Sequence, residues 1–206
     1  MDPIAPPAAA PLLVATELCF ARGAHAVLDR LSFAIGPGLT LVRGGDGRGK
    51  TTLLRLMAGE LEPGSGALAA PAGPPHRPDP LDPAHEASRA RDWLVRECGG
   101  RPGRDPRLEA RLVEGFALRE HLDKELFRLS TGTRRKLALV AAFAAGAPLA
   151  LLDAPFAALD RPSRALLAAL LAEAASHRSR GWVIADHERP PALEGVPLAG
   201  TIDLGD

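Results

Sequence analysis

The stretch that decides the fold is GGDGRGKTT, residues 44–52. It fits the pattern G-x-x-x-x-G-K-[ST], with Gly44 and Gly49 as the outer glycines. Apolar residues 39–42 precede it and an apolar helical pattern follows it, so the local order is strand, turn, helix. Glycines let the backbone fold around an anion with its N–H groups pointing inward, and a helix N-terminus adds positive partial charge. This segment, called the phosphate turn below, therefore predicts a site for a nucleotide phosphate chain.

The polar residues of the phosphate turn have separate predicted contacts. Lys50 is expected to reach the β- and γ-phosphates, and the Thr51 hydroxyl is expected to bind Mg²⁺. The other residues predicted to line the bound phosphates are Gly44, Asp46, Gly47, Gly49 and Thr52.

The second half of the predicted site is the stretch LALLD, residues 149–153. Its apolar residues are typical of a short strand that is buried on both faces. Because the strand ends in a carboxylate, we expect Asp153 to lie near Thr51 and the metal ion. The next residue is Ala154, whose methyl group cannot accept a proton.

The remaining pattern predicts an α/β fold with a mainly parallel central sheet flanked by helices, because buried strands alternate with helices. An antiparallel β region is expected at the N-terminal end, and residues 62–66 are expected to form a turn. The predicted strands are 12–20, 26–35, 39–42, 149–152 and 182–185, and the predicted helices begin near residues 49, 133 and 163.

We predict a single domain over residues 1–206. Residues 1–11 are expected to be a loose tail. The nucleotide-binding core is expected to comprise residues 12–79 and 129–206, and the charged helical pattern of residues 80–128 predicts an inserted small helical lobe.

The composition excludes several classes of protein. The 25 basic residues balance 25 acidic ones, which disfavours nucleic acid as a partner because phosphate-backbone binding needs a basic excess. The longest apolar run, 137–152, is shorter than the about 18 residues of a membrane span and is broken by Gly146 and Pro148. The N-terminus lacks the basic start of a signal peptide. Cys19 and Cys98 are expected to be reduced thiols, because they match no disulfide or metal spacing.

A third motif is LSTGTRRK, residues 129–136, immediately before a predicted helix. The order of phosphate turn, helical lobe, this motif and the strand ending in Asp153 resembles the nucleotide-binding subunit of ATP-binding cassette (ABC) transporters. The resemblance covers about residues 12–190 and implies a P-loop NTPase fold with ATP and Mg²⁺ as cofactors. It also implies that Ser130 and Gly132 meet the γ-phosphate held by a second subunit of a head-to-tail dimer.

The same resemblance assigns further residues. His187 resembles the switch histidine that senses the γ-phosphate, and residues 157–160 resemble the loop through which two subunits communicate. Counting back from LSF, residues 31–33, the adenine-stacking position falls on Arg22, with Phe20 as the alternative two residues earlier. Within the family, the small size and the Asp-x-Pro-Phe segment are most similar to the ATP-binding subunit of the cytochrome c-type haem exporter.

The chain departs from the family pattern in the middle of its motifs. Thr131 and Thr133 stand where the family usually has glycine and glutamine. The chain contains no glutamine, so the family's metal- and water-sensing glutamine, expected near residues 70–86, is missing. Residues there that could take over a metal or water contact are Asp79, Asp82, His76 and His85.

The departure with the largest chemical consequence is Ala154, at the position of the acid that polarises the attacking water in the family. Loss of a positioned general base costs on the order of 10²–10⁴ in rate. We therefore expect ATP binding to be intact and hydrolysis to be slow. Asp186 is the better candidate for a substitute carboxylate, and Asp160 is the other.

These observations predict an ABC-type ATPase subunit that forms a homodimer or pairs with a sister cassette. It is expected to contact a membrane-spanning subunit through residues 80–128, in the cytoplasm at the inner face of the cell membrane. The alternative is a regulatory cassette that binds ATP without useful hydrolysis. A small-molecule phosphoryl transferase with Arg101, Arg104 and Arg107 as a lid is disfavoured, because such an enzyme has no reason to carry LSTG before a basic helix.

Overall fold

The computed structural model of the chain describes residues 10–205. The predicted tail of residues 1–11 lies outside this range except for Ala10 and Pro11, which form no regular structure. The strands are β1 (Leu13–Arg22), β2 (His25–Ile35), β3 (Gly38–Arg43), β4 (Ser65–Ala69), β5 (Leu149–Asp153), β6 (Gly181–Asp186) and β7 (Gly200–Asp203). The helices are α1 (Lys50–Met57), α2 (Ala90–Cys98), α3 (Pro106–Gly115), α4 (Thr131–Ala144) and α5 (Arg161–Ala175).

The strands form two sheets, as the α/β prediction requires. The N-terminal sheet is antiparallel with the order β2-β1-β4, and the central sheet is parallel with the order β5-β6-β3-β7. In the parallel sheet Asp153 pairs with Ala185, and Arg43 pairs with Asp186. The carboxyl ends of β3, β5 and β6 therefore meet at one edge, where the phosphate turn also begins.

The central strands are buried on both faces because each face has its own apolar core. Alternate residues of β5 and β6, such as Leu151 and Val183, pack with α1 and the antiparallel sheet. The intervening residues, such as Leu152 and Ile184, pack with α4, α5 and the helical lobe. This two-sided burial is what parallel strands with covering helices require, and it fixes the edge that carries the site.

The helical lobe is less helical than the sequence predicts. Over residues 84–128 only α2 and α3 are α-helices, and the rest consists of short 3₁₀ turns and loops. Trp93 and Phe116 are fully buried in the lobe, and both helices pack on α4. Burial raises the pKa of the Cys98 thiol to about 12, so this cysteine is held as a neutral thiol.

Several predicted boundaries were wrong for identifiable reasons. Residues 65 and 66 belong to β4 rather than to a turn, because β1 supplies their pairing partners. Helix α4 begins two residues early because the Ser130 hydroxyl accepts a hydrogen bond from the Thr133 N–H at 3.1 Å. Helix α5 begins at Arg161 because Asp160 caps it through the Ser163 N–H at 2.9 Å. Within residues 10–205 no helix combines the length and the apolar character that crossing a membrane would demand.

Candidate nucleotide-binding site

The phosphate turn has the conformation that its glycines permit. Gly47 and Gly49 lie in the left-handed region, with φ of 77° and 91°. A Cβ on Gly49 would come 2.7 Å from the Val27 Cγ1 atom, so this position also needs glycine for space. The Lys50 ammonium donates hydrogen bonds to the Gly44 and Gly45 carbonyls at 2.6 and 2.8 Å. The turn thus holds an ammonium group at the N-terminus of α1, which is an arrangement that favours an anion.

Oxygen atoms suited to a magnesium ion lie beside this ammonium. The Thr51 hydroxyl donates to the Asp153 carboxylate at 2.6 Å, which joins the start of α1 to the end of β5. Mg²⁺ prefers oxygen ligands and is usually held by one or two protein groups together with substrate phosphates. The residues present therefore fit Mg²⁺, although the described residues contain no group of three or more carboxylates, histidines or cysteines that could hold a metal by themselves.

A cleft of 610 Å³ runs from the phosphate turn to the turn that joins β1 to β2. Asp153 and Ala154 lie at one end of it, and Arg22, His25 and Val27 line it on the side of β1 and β2. We call it the nucleotide cleft. Its remaining lining residues are Asp46, Gly47, Arg48, Gly49, Lys50, Thr51, Thr52 and Arg55.

Of the two residues predicted for stacking on the base, only Arg22 lines the nucleotide cleft. Phe20 packs instead against the apolar core between the antiparallel sheet and α1. The two residues differ although they are two positions apart on β1, because the pairing of β1 with β2 shifts register between Phe20 and Ala21. A bulge of this kind interrupts the period-two alternation of a strand.

The backbone at Ala154 is held firmly although its side chain carries no acid. Its φ is 42°, in the left-handed region, and its N–H donates to the Ala185 carbonyl at 2.8 Å. Its carbonyl accepts hydrogen bonds from the Ala157 N–H and from the Arg135 guanidinium, each at 3.0 Å. The position next to Asp153 therefore has a fixed geometry and no proton acceptor.

A second cleft of 380 Å³ opens on the other side of Asp153 and Ala154, and Arg135 and Asp79 line it. Asp79 is the only one of the four candidates for the missing glutamine that reaches it. Its carboxylate accepts from the Arg77 guanidinium at 3.0 Å. Asp82 caps a 3₁₀ turn that contains His85, away from both clefts.

His76 lies away from both clefts, buried between the sheet edge and the helical lobe. Its side chain is 4% exposed and its Nε2 atom lies 3.0 Å from the Glu97 carboxylate of α2. Burial raises the pKa of the Glu97 carboxyl, but the hydrogen bond and charge of His76 outweigh that effect and leave it below its ordinary value. This pair joins the lobe to the core and does not face the phosphate turn.

His187 lies against the phosphate turn. Its Nδ1 atom is 3.3 Å from the Gly44 carbonyl oxygen, and its own carbonyl accepts from the Gly44 N–H at 3.2 Å. The neighbouring Asp186 carboxylate accepts from the His187 backbone N–H at 2.8 Å. The other candidate base, Asp160, is engaged by Lys136 and Ser163, and these hydrogen bonds hold the pKa of its carboxyl far below the usual range.

Ser130 and Gly132 line neither cleft in the described part of this chain. A Cβ on Gly132 would come 2.4 Å from the Ala158 carbonyl oxygen, so glycine lets the start of α4 pack directly on the loop of residues 157–160. The structure thus brings the phosphate turn, Asp153, Ala154 and Arg22 together around the nucleotide cleft. His187 contacts Gly44 without lining the cleft, and Ser130 and Gly132 lie outside it.

The lining residues of the two clefts that sequence reasoning missed include His25, Val27, Arg48, Arg55 and Arg135. One of them had a usable signal. Gly23 lies between two predicted strands, so Arg22 and His25 were candidates for a cross-strand pair beside a tight turn, and the structure pairs them.

Comparison with known proteins gives relatives for this arrangement. Residues 28–157 match the family described as ABC transporter. The chain is 37% identical over 163 residues to the cytochrome c biogenesis ATP-binding export protein CcmA of Ruegeria pomeroyi, covering 76% of each chain. It is 35% identical over 208 residues to the protein of the same name from Maricaulis maris, covering 91% of this chain and 89% of that one.

Solved structures share the fold at lower identity. The ATP binding subunit of an ABC transporter matches with a TM-score of 0.70 and 21% identity, covering 85% of this chain and 79% of that one. A nucleotide-free ATP-binding cassette from an ABC transporter matches with a TM-score of 0.69 and 16% identity, covering 91% and 85%. These likenesses bear out the α/β fold with its parallel and antiparallel sheets.

Proposed function

The chain belongs to the ABC transporter family as an ATP-binding subunit, and from that premise we propose that it binds MgATP between two cassettes and couples this binding to a membrane subunit. The observation that carries the proposal is the single cleft that contains the Lys50 ammonium and the Thr51–Asp153 pair. A triphosphate needs a cation, inward N–H groups and a metal-binding oxygen within a few ångströms. This cleft supplies the cation and the metal-binding oxygens, and the N-terminus of α1 supplies the N–H groups of a helix start.

Each residue of the site has a role under this proposal. The phosphate turn binds the β- and γ-phosphates, and Lys50 leaves the Gly44 and Gly45 carbonyls to meet them. Thr51 and Asp153 would hold Mg²⁺, which would supply positive charge to neutralise the phosphates. His187, next to Gly44, is placed to sense whether the γ-phosphate is present.

The second cassette completes the site from outside. The Ser130 hydroxyl and the N-terminus of α4 make an anion-binding end that this chain does not use on its own phosphates. We propose that this end caps the γ-phosphate in a partner, either a second copy or a sister cassette. The packing of Gly132 on Ala158 would then connect the cap to the loop of residues 157–160.

Exposed apolar side chains in residues 80–128 support the proposed contact with the membrane subunit. The large apolar side chains that are strongly exposed in the described chain are Leu81 at 37% and Val95 and Phe127 at 53% each. All of them belong to the helical lobe and its entry. We propose that they meet a membrane-spanning partner, which places this chain at the inner face of the cell membrane.

Ala154 favours a second candidate function. Without an acid there, the cleft can position MgATP but lacks the group that activates water, so we propose that hydrolysis is weakened. The chain would then act as a regulatory cassette, or as the partner of a sister subunit with an intact acid. The relatives named above are export proteins of cytochrome c biogenesis, and we propose that this chain serves export in that process.

The test of the proposal is an equilibrium titration with MgATP. Lys50→Ala should weaken binding by roughly 10- to 100-fold, because hydrogen bonds between a cation and phosphate are lost. Lys124→Ala, which removes an exposed lysine of the helical lobe, is the matched control and should leave binding unchanged. Sedimentation of the wild type with MgATP should show a dimer, and Ser130→Ala should weaken that dimer. Absence of MgATP binding by the wild type would overturn the proposal.

A further inference from the structure

Near the turn that joins β1 to β2, the nucleotide cleft is lined by the hydrogen-bond donors Arg22 and His25, and among the described residues no phenylalanine or tryptophan lines it. We propose that Arg22 and His25 bind the base edge-on, and that the protein therefore binds guanine nucleotides at least as tightly as adenine nucleotides. The inference rests on the proposed function, because it takes a nucleoside triphosphate to occupy the cleft.

The ends of the nucleotide cleft fix the direction in which a nucleotide lies. Lys50 marks the phosphates, and the Thr51–Asp153 pair marks the metal ion next to the terminal phosphate. The ribose and base must extend away from Asp153. The cleft in that direction is lined by Arg22, His25 and Val27.

Arg22 and His25 form the cross-strand pair next to the turn that joins β1 to β2. Both residues are exposed, and Gly23 between them has a φ of 61°, which keeps the turn tight. Within residues 10–205 neither side chain has a hydrogen-bond or ion-pair partner, whereas Arg55 in the same cleft is already bound to Glu60. The donors of Arg22 and His25 are thus available to a ligand.

No phenylalanine or tryptophan lines the nucleotide cleft as the described residues form it, and the sequence contains no tyrosine. Phe20 is withdrawn into the core by the register shift of β1. A flat ring binds the face of any purine and reads little of its edge. Its replacement by side-chain donors shifts recognition from the face of the base to its edge.

The edges of the two purines differ in the atoms that an arginine meets. Guanine presents two neighbouring acceptors, O6 and N7, which match the paired N–H groups of a guanidinium. Adenine presents N7 beside the donating N6 amino group, so one of the two arginine N–H groups faces another donor. His25 carries at least one N–H in either charge state and adds a further donor. This set of groups favours guanine over adenine.

The experiment compares dissociation constants for MgATP, MgGTP and MgITP on the full chain. The base of inosine has the same O6 and N7 acceptors as guanine but lacks the N2 amino group. Binding of MgITP therefore tests recognition of O6 and N7 without a contribution from N2. We expect MgGTP and MgITP to bind at least as tightly as MgATP. Arg22→Phe should lower the ratio of the affinity for MgGTP to that for MgATP by about fivefold or more. The reason is that one bidentate contact to a base discriminates between bases by at least about this factor. His25→Ala should lower this ratio by less.

Controls separate this inference from the proposed function. Arg164→Phe changes an exposed arginine of α5 and should leave the ratio as in the wild type. Tighter wild-type binding of MgATP than of MgGTP, or an unchanged ratio in Arg22→Phe, would overturn the inference about the base. If Lys50→Ala still weakened MgATP in that case, the proposed function would stand. If no nucleotide bound the wild type, both would fall.

Discussion

The phosphate turn and the end of β5 face the same cleft, but only the turn carries every group its task requires. The turn combines left-handed glycines, the N-terminus of α1 and the Lys50 ammonium. The strand end has Asp153, which we propose binds the metal, followed by Ala154, whose side chain cannot accept a proton. Under the proposed function, this difference indicates that nucleotide binding is mostly a property of backbone shape, whereas hydrolysis would depend on one side chain.

The backbone at Ala154 is held in place although its side chain is only a methyl group. A non-glycine residue in the left-handed region costs on the order of 1 kcal/mol, and three hydrogen bonds at Ala154 offset that cost. The strand end therefore keeps the geometry that would aim a longer side chain, while the chemistry is absent. Each prediction below changes one side of this contrast.

The largest expected effect comes from restoring the acid. Ala154→Glu should raise the rate of MgATP hydrolysis by about 10²–10⁴, the usual contribution of a positioned general base, measured as phosphate release by the purified protein. The matched control is Ala165→Glu, which adds the same side chain to an exposed position of α5. A rate that stays at the wild-type level would contradict an ATPase lacking only its base and would favour the regulatory cassette.

The second-largest effect is expected at Asp153, the carboxylate that we propose binds the metal. Mg²⁺ should increase the affinity of the wild type for ATP, and Asp153→Asn should make this increase about 10- to 100-fold smaller, as changes at metal-binding groups do. Titrations of both proteins with ATP in the presence and absence of Mg²⁺ measure the difference. Asp203→Asn is the control, because this carboxylate pairs with Arg43 at the same sheet edge and lines neither cleft. Equal loss in both variants would mean that Asp153 acts through general charge and not through the metal.

Two glycines of the phosphate turn test how much of binding is backbone shape. Gly49→Ala places a Cβ 2.7 Å from Val27 at a φ of 91°, so we expect a loss of about 2–4 kcal/mol in unfolding free energy from strain and overpacking. Gly47→Ala should lower the unfolding free energy by only about 1 kcal/mol, because its sole cost is the positive φ. Nothing lies within 4 Å of a Cβ at this position. Urea unfolding measures both, and similar losses would contradict the contact with Val27.

The sequence was sufficient to predict the turn, Asp153 and the parallel sheet, because each depends on a local pattern with a direct physical cause. The spacing of Gly44, Gly49 and Lys50 specifies a turn, and the apolar run before Asp153 specifies a strand buried on both faces. The fold and the family were both confirmed. The assignments of single site residues, including Ser130 and His187, stay predictions.

The missed features depend on partners far away in the chain. β4 and β7 have few buried side chains, and they are strands because β1 and β3 supply their hydrogen-bonding partners. The choice of Arg22 over Phe20 depends on a bulge that period-two reasoning does not contain. Arg135 reaches Ala154 across the gap between α4 and the end of β5, which no sequence spacing indicates.

The smallest expected effect concerns the loop that connects the strand end to α5. Lys136 and the Ser163 N–H bind the Asp160 carboxylate and lower its pKa, so the stabilisation is present above its ordinary pKa of 3.8 and is lost as the pH falls below that value. Asp160→Ala should cost about 1 kcal/mol at neutral pH through loss of the helix cap, measured by urea unfolding. Asp160→Asn keeps a capping oxygen without the charge, so it should lose less at neutral pH and lack this acid-dependent part of the stability. If the stability of Asp160→Asn fell with acid as steeply as that of the wild type, the lowered pKa would have no part in holding this loop, and the fixed position of Ala154 would rest on its own three hydrogen bonds.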